Sequence, residues 1–251
     1  MSATPIRVLL LGADGRMGRA IQDVAAANGE VVISGAVDRG GDVAAELANA
    51  DAVVDFTQAA STAEILRACV AAKKPLVTGT TGHSPAQVEE IQAAARTIAI
   101  VHSANFSVGV NALFSLTRQA AKLLGADFDL EIVETHHRLK KDAPSGTAKQ
   151  LAAILCEERA LDYARNIAHG REGLVGERPV DEIGIHAIRG GDVVGDHTVI
   201  FAGRGERLEL THRAASRETF AAGALRAASW VVRQPAGLYT MQDVLGLAAG
   251  A

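Results

Sequence analysis

The sequence predicts an α/β chain in two parts: a doubly wound parallel sheet, then a second α+β domain with a mixed, largely open sheet. Three observations lead there. Up to about residue 106, short and nearly continuous apolar runs alternate with helical segments. From about residue 107 the runs alternate apolar with polar residues, as strands with one open face do. After Ser216 a helical run returns and is expected to pack back on the first part. The domains are therefore expected at 1–106 with 217–251, and at 107–216.

IRVLLL (6–11) is apolar and rich in branched side chains, and a Gly-rich turn and the helical spacing of GRAIQDVAAANG follow it. VVISGAV (31–37), DAVVDF (51–56), PLVTG (75–79) and TIAIVHS (97–103) are further strands, apolar enough to be covered on both faces. Ser61 with Glu64 and Ser84 with Gln87 have capping-box spacing, which predicts helix starts. Pro85 falls at the first helical position, where its missing N–H costs nothing. Strands and helices in alternation give a parallel sheet, and ligands on such sheets bind beyond the carboxyl ends of the strands.

The turn after the first strand reads Gly12-Ala13-Asp14-Gly15-Arg16-Met17-Gly18. Glycines permit a tight turn and let backbone N–H groups approach a pyrophosphate, and a helix N-terminus adds partial positive charge. The spacing is GxxGxxG, not GxGxxG, so the turn alone discriminates little. Its context adds a strand before, a helix after, and Asp38 20 positions beyond Gly18. A carboxylate there can accept from a ribose 2′-OH, and the Arg39 guanidinium can receive a 2′-phosphate, so NADH and NADPH both stay open. The plainer alternative is a glycine turn that only packs helix on sheet. Gly79-Thr80-Thr81-Gly82 and Ser103-Ala104-Asn105-Phe106 follow strands on the same expected rim. Either can bring backbone to a flat ring, with Asn105 bonding a carboxamide, or be an ordinary loop.

In the second part, VGVNALFSLTRQAAKLLG reads as a helix, and FDLEIVE (128–134) as a strand with Phe128, Leu130 and Ile132 on one face. IGIHAIR (183–189), HTVIFAG (197–203) and ERLELTHRA (206–214) are also strand-like, with Gly190-Gly191 and Gly203-Arg204-Gly205 between them resembling hairpin turns. An open patterned face commonly packs on another subunit. Residues 163–182 have no clean period and are long for a loop, which points to a lid, a subunit contact or solvated arginines.

The densest chemistry lies in ETHHRLKKDAPSGTAKQL (134–151). Neighbouring strand residues face opposite ways, so His136 and His137 do not easily share a metal, and no metal site is expected. Pro144-Ser145-Gly146-Thr147 precedes a helical run, which places the Gly146 and Thr147 N–H groups and a hydroxyl at a helix N-terminus suited to a carboxylate. Arg138, Lys140 and Lys141 lie near, and an imidazole of His136 or His137 can donate. A small dianionic substrate fits this set. His136 and Lys140 are candidate proton donors, since both side chains can be tuned toward neutral pH. The alternative is a solvated basic loop before an ordinary helix start.

Composition narrows the classes. The net charge of −4 leaves no global footprint for nucleic acid. Cys69 and Cys156 are too few for a disulfide scaffold and form no CxxC pair, which fits a reducing cytosol. Gly12 and Asp14 interrupt the first apolar run, so neither a signal peptide nor a membrane span is expected.

GADGRMGR, GTTG, SANFSVGVN and above all ETHHRLKKDAPSGTA resemble the 4-hydroxy-tetrahydrodipicolinate reductase (dihydrodipicolinate reductase) family, over nearly the whole chain. The resemblance implies a Rossmann-type cofactor domain and a mixed-sheet substrate domain that assembles a homotetramer. It implies reduction of a cyclic imine dicarboxylate with NADH or NADPH, in lysine and diaminopimelate biosynthesis. By motif position, His136 is implied as the acid/base group and Lys140 as the proton donor. His137, Gly146 and Thr147 are implied to hold the substrate carboxylates. Gly12, Ala13, Asp14, Gly15, Arg16, Met17, Asp38, Arg39, Gly79, Thr80, Thr81, Ser103, Ala104, Asn105 and Phe106 are implied to line the cofactor. Asp38 stands where many members have Glu, and Leu139 where some carry a third histidine. Another two-domain amino-acid dehydrogenase, and an NAD(P)H-binding sensor without chemistry, are the competing readings.

Overall fold

The computed structural model describes residues 4–38 and 40–247. The first apolar run forms β1 (Ile6–Leu11), whose last four residues are buried. Because strand side chains alternate, Val8 and Leu10 enter one core cluster while Leu9 and Leu11 enter another on the opposite face. Covering both faces with helices is what makes the run continuously apolar. The elements that follow are α1 (Arg16–Asn28), β2 (Val31–Val37), α2 (Val43–Glu46) and β3 (Ala52–Asp55). After them come α3 (Thr62–Ala72), β4 (Leu76–Thr78), α4 (Pro85–Ala94) and β5 (Ala99–His102). The capping box of Ser84 and Gln87 forms, with Pro85 in the first turn. The one expected at Ser61 does not. A 3-10 turn over Ala59–Ser61 leads directly into α3, so Ser61 already has helical backbone angles and its side chain caps nothing.

The second unit runs from Gly109 to Ser216. Its elements are α5 (Val108–Leu124), β6 (Asp129–His136), α6 (Gly146–Arg159), α7 (Tyr163–Asn166), β7 (Ile167–His169), β8 (Ile183–Arg189), β9 (Gly195–Gly203) and β10 (Glu206–Ala214). The sheet order is β10-β9-β6-β8-β7. β6 is parallel to β8 and antiparallel to β9. Gly203-Arg204-Gly205 does turn the β9–β10 hairpin, whereas Gly190-Gly191 does not turn a hairpin. β6 lies between β8 and β9, so that connection crosses it. Leu130, Ile132, Ile183, Ile185, Val199 and Phe201 face Leu151 and Leu155 of α6 across the core. The other face carries Val133, Thr198 and Ile200, half-buried, and Ile188, exposed.

Two arginines tie the 170–182 segment to β6, while Leu174, Val175 and Val180 in it are exposed. Arg171 and Arg178 both pair with Glu131 on β6, at 2.7 and 3.1 Å. His186 adds a contact to Glu131 at 2.7 Å. Burial alone would raise the Glu131 carboxyl, but the Arg171, His186 and Arg178 bonds outweigh it and hold it at about 2. Glu131 occupies the space that a side chain at position 184 would fill. A Cβ there would lie 1.8 Å from Oε2, so a side chain at 184 would displace the Glu131 carboxylate from its place.

The chain then returns to the first unit with α8 (Glu218–Val231), β11 (Gly237–Tyr239) and α9 (Met241–Val244). Ala221, Ala224, Ala227 and Ala228 of α8 join the cluster of Val8, Leu10 and Val54. β11 adds a parallel edge strand beside β5, and the six-stranded order is β11-β5-β4-β3-β1-β2.

Candidate functional site

In the second unit, β6 alternates along its whole length. Leu130, Ile132, Glu134 and His136 are buried, while the residues between them are more exposed. A strand that begins as core therefore ends by driving a carboxylate and an imidazole inward on the same face. Glu134 is fully buried, with a side-chain exposure of 0%. Its charge is matched on every side. Arg189, at the end of β8, donates Nη2–H to Oε1 at 2.7 Å and Nη1–H to Oε2 at 2.8 Å. The Ser145 amide donates to Oε1 at 3.1 Å. His136 Nδ1 lies 2.5 Å from Oε2. Burial would raise the Glu134 carboxyl, but these donors, Arg189 first, outweigh it and hold it below the usual carboxylate range. An ionised carboxylate only accepts, so His136 Nδ1 carries the hydrogen and donates it.

Burial lowers His136, Glu134 opposes the shift, and the charges of Lys140 and Arg189 add to it. Lys140 is thus within electrostatic reach of the imidazole. Its Nζ lies 3.0 Å from Asp142 Oδ1. Ser145 caps α6, its Oγ accepting from the Ala148 amide at 3.2 Å and lying 3.1 Å from His197 Nε2. The His197 and His136 rings meet edge to face at 5.1 Å. Burial, with His136 beside it, pushes His197 down to about 4, so that imidazole is neutral at pH 7. Gly146 and Thr147 open α6, and the Cβ position of Gly146 has nothing within 4 Å. His137 follows the strand end, with its Nδ1 buried and without a hydrogen-bond partner.

The structure thus gathers His136, Lys140 and the α6 N-terminus around residues the sequence reading passed over: Glu134, Ser145, Arg189 and His197. Glu134 had a readable signal, since it lies two positions before His136 on a strand and so shares its face. Among the described residues, no group of three or more His, Cys, Asp or Glu side chains is placed to hold a metal ion.

In the first unit, Gly12 has φ +81°, and a Cβ there would lie 2.8 Å from the Phe56 carbonyl oxygen. A Cβ on Gly18 would lie 2.2 Å from the Gly12 oxygen. The turn is therefore built for glycine, and Gly15 caps α1 with extended backbone. The Asp14 amide donates to Asp38 Oδ2 at 2.9 Å, which fixes the β2-end carboxylate beside the turn. Gly12, Gly15, Asp38, Phe56, Gln58 and Glu64 are among the walls of a cavity of about 300 Å³. Arg39 lies outside the described residues. Such a cradle, with an acceptor at its rim, fits a dinucleotide.

The remaining rim residues divide. Thr80 is buried and its hydroxyl donates to Asp55 Oδ2 at 3.0 Å, together with Thr78 at 2.8 Å. Thr81 and Ala104 are exposed. Ala13 and Phe106 are buried, Phe106 edge-on to Phe56 at 5.5 Å, and Met17 packs on the same core. Arg16 opens α1. Ser103 and Asn105 brace their own turn, Ser103 Oγ donating to the Asn105 carbonyl at 2.9 Å and Asn105 Oδ1 accepting from the Ser107 amide at 2.9 Å. A Cβ on Gly79 would lie 2.2 Å from the Phe56 ring.

Comparison with known proteins follows this division. A family model described as dihydrodipicolinate reductase, N-terminus, matches residues 6–106. Another, dihydrodipicolinate reductase, C-terminus, matches residues 109–245. A 4-hydroxy-tetrahydrodipicolinate reductase of Akkermansia muciniphila is 54% identical over 242 residues, covering 96% of this chain and 98% of its own length. One from Anaeromyxobacter dehalogenans is 46% identical over 267 residues, covering 97% and 99%. The solved structure of a dipicolinate-bound dihydrodipicolinate reductase from Paenisporosarcina sp. TG-14 matches with TM-score 0.76 at 25% identity, over 95% of this chain and 98% of that one.

Proposed function

Because the chain belongs to the dihydrodipicolinate reductase family, we infer that it reduces 4-hydroxy-tetrahydrodipicolinate, by way of dihydrodipicolinate, to tetrahydrodipicolinate. It is an oxidoreductase of lysine and diaminopimelate biosynthesis, and its cofactor is NADH or NADPH. The residue assignments rest above all on one observation: a half-sealed imidazole, His136, held at 2.5 Å by an ionised carboxylate, on the strand whose following loop carries Lys140.

The roles are as follows. The Gly146 and Thr147 amides and the Thr147 hydroxyl take one substrate carboxylate at the positive end of α6. His137 takes the other. The hydroxylated substrate loses water to give a conjugated imine. A reduced nicotinamide held in the first unit would supply the hydride, to the ring carbon at the far end of that conjugation. Lys140 or His136 gives a proton to carbon as the resulting enamine relaxes to the imine product. The same cations stabilise negative charge as it develops. The turn from Gly12 to Met17 seats the pyrophosphate, Asp38 takes a ribose hydroxyl, and Arg39 receives the 2′-phosphate when the cofactor carries one. Gly79, Thr80, Thr81 and Ser103 to Phe106 line the rest.

Residues 1–106 with 217–251 serve as the cofactor domain, and 107–216 as the substrate and assembly domain. The open face of the second sheet, with Val133, Ile188, Thr198 and Ile200, supports assembly into a homotetramer. No helix among the described residues is long and apolar enough to cross a membrane. The two free cysteines, Cys69 and Cys156, support the reading that the enzyme works in a reducing cytoplasm. The test is to generate the substrate in situ and follow absorbance of reduced cofactor. The expected result is oxidation that requires both substrate and protein. No oxidation at any concentration of NADH or NADPH rejects the assignment.

A further inference from the structure

Glu134 takes no part in the steps above, yet it is the most deeply buried charge in the site, with a side-chain exposure of 0%. A carboxylate in that position stays ionised only if donors surround it. Here the Arg189 fork covers both oxygens at 2.7 and 2.8 Å, and the Ser145 amide adds a third bond. The consequence falls on His136. Which nitrogen of a neutral imidazole bears the hydrogen is set by the partner of the other nitrogen. An ionised Glu134 can only accept, so it holds the hydrogen on Nδ1. Were the carboxyl protonated, its O–H would donate to Nδ1 and the hydrogen would move to Nε2.

The far edge of the ring is arranged differently. Nε2 makes no hydrogen bond to the described residues and is not among the sealed polar atoms. The ring keeps 11% exposure. Beside Nε2 lies Gly195, the first residue of β9, where an added Cβ would stand 3.0 Å from Nε2 and 3.4 Å from Cδ2. Gly195 is not in the left-handed region, so its missing side chain matters for space rather than for backbone angle.

We propose that Glu134, locked by Arg189, is a positioning residue that fixes the Nδ1–H form of His136 and thereby reserves Nε2 for proton exchange with substrate, while Gly195 keeps the space before Nε2 clear. Nε2 then gives up or takes a proton with no rearrangement at Nδ1, and Glu134 stabilises the imidazolium in between. Four charged or titratable groups face this ring. They are Glu134 on the same strand, Arg189 from β8, His197 from β9 and Lys140 from the following loop. Of these, only Glu134 favours the protonated ring, so its neutralisation moves the His136 titration to lower pH.

The inference rests on the proton-transfer role of His136, and the experiment separates the two. Nitrogen-15 spectra of the ligand-free parent, with His136 assigned by its loss in His136→Gln, are expected to show Nδ1–H and a bare Nε2 above the titration. An Nε2–H form in the parent overturns the proposal without any variant. Glu134→Gln is expected to lose the fixed form, to shift the His136 limb of the rate profile to lower pH, and to lower turnover about tenfold to a hundredfold, less than the ~10²–10⁴-fold that a general acid or base itself supplies. Glu134→Asp should recover part of the loss. Gly195→Ala should lower turnover while leaving the Nδ1–H form intact. If His136→Gln abolishes turnover but Glu134→Gln changes neither spectrum nor profile, the positioning role fails. If His136→Gln leaves turnover intact, the reading it rests on fails instead.

Discussion

Arg189→Ala should destabilise the protein by an amount the structure allows one to work out. The substitution removes both guanidinium bonds from a carboxylate with no solvent exposure. It also frees the Asp142 and Ile188 carbonyls, now held at 2.8 and 2.7 Å. Breaking a buried ion pair by deleting one partner costs roughly 3–5 kcal/mol. Glu134 keeps the Ser145 amide and His136, so the lower end, about 3 kcal/mol, applies. In a chain of 251 residues each kcal/mol moves the melting temperature by about 2–4 °C, so the expected drop is about 6–12 °C.

The pH dependence has a definite sign. The folded carboxyl of Glu134 lies below its unfolded value, so its contribution is present above the unfolded pKa and is lost as pH falls through the folded one. Without Arg189 the carboxyl rises. The gap between parent and variant is therefore full at neutral pH and narrows on acidification. Adding Glu134→Gln to Arg189→Ala removes the stranded charge and should raise the melting temperature above that of Arg189→Ala alone. Thermal melts from pH 7.5 to pH 4 test this. A single variant within about 2 °C of the parent, or a double variant that melts no higher than the single one, refutes the account of Glu134 as a paired anion.

Two further outcomes follow from the local geometry. Thr147→Val, at the α6 N-terminus, removes one carboxylate donor and should raise the Michaelis constant for substrate more than it lowers turnover; steady-state kinetics decide this, and an unchanged constant removes Thr147 from the site. Gly12→Ala places a Cβ 2.8 Å from the Phe56 oxygen at φ +81°, so cofactor binding measured by titration of NADH fluorescence should weaken at least tenfold, and unchanged affinity would exclude the turn as the pyrophosphate seat.

Much of the fold was legible because the physics involved is local. β1, β3, β4 and β5 are apolar runs buried on both faces, as the sequence predicts, whereas β2 is an edge strand with Val32 exposed, so its apolar run overstated its burial. β11 was not legible, since Gly237–Tyr239 is three residues with no period and pairs only because β5 is there to receive it. Gly190-Gly191 has the composition of a hairpin turn, but parallel pairing of β6 with β8 decides the order, and sequence spacing does not encode that. Ser61 had the right spacing for a cap and lost it to a preceding 3-10 turn. The site divides in the same way. His136, Lys140, Gly146 and Thr147 fall in one contiguous motif. Arg189 reaches Glu134 across 55 positions, and His197 reaches Ser145 across 52, so only the sheet brings them together.

The most direct measurement is turnover of reduced cofactor by His136→Gln and Lys140→Ala, each beside its affinity for NADH measured without substrate. Both variants should bind NADH about as the parent does while turnover falls by about 10²-fold or more, since their groups handle the proton and not the dinucleotide. Parent-like turnover in either variant would contradict its place in the chemistry, and a loss of NADH binding alongside the loss of turnover would show that the motif serves the cofactor instead.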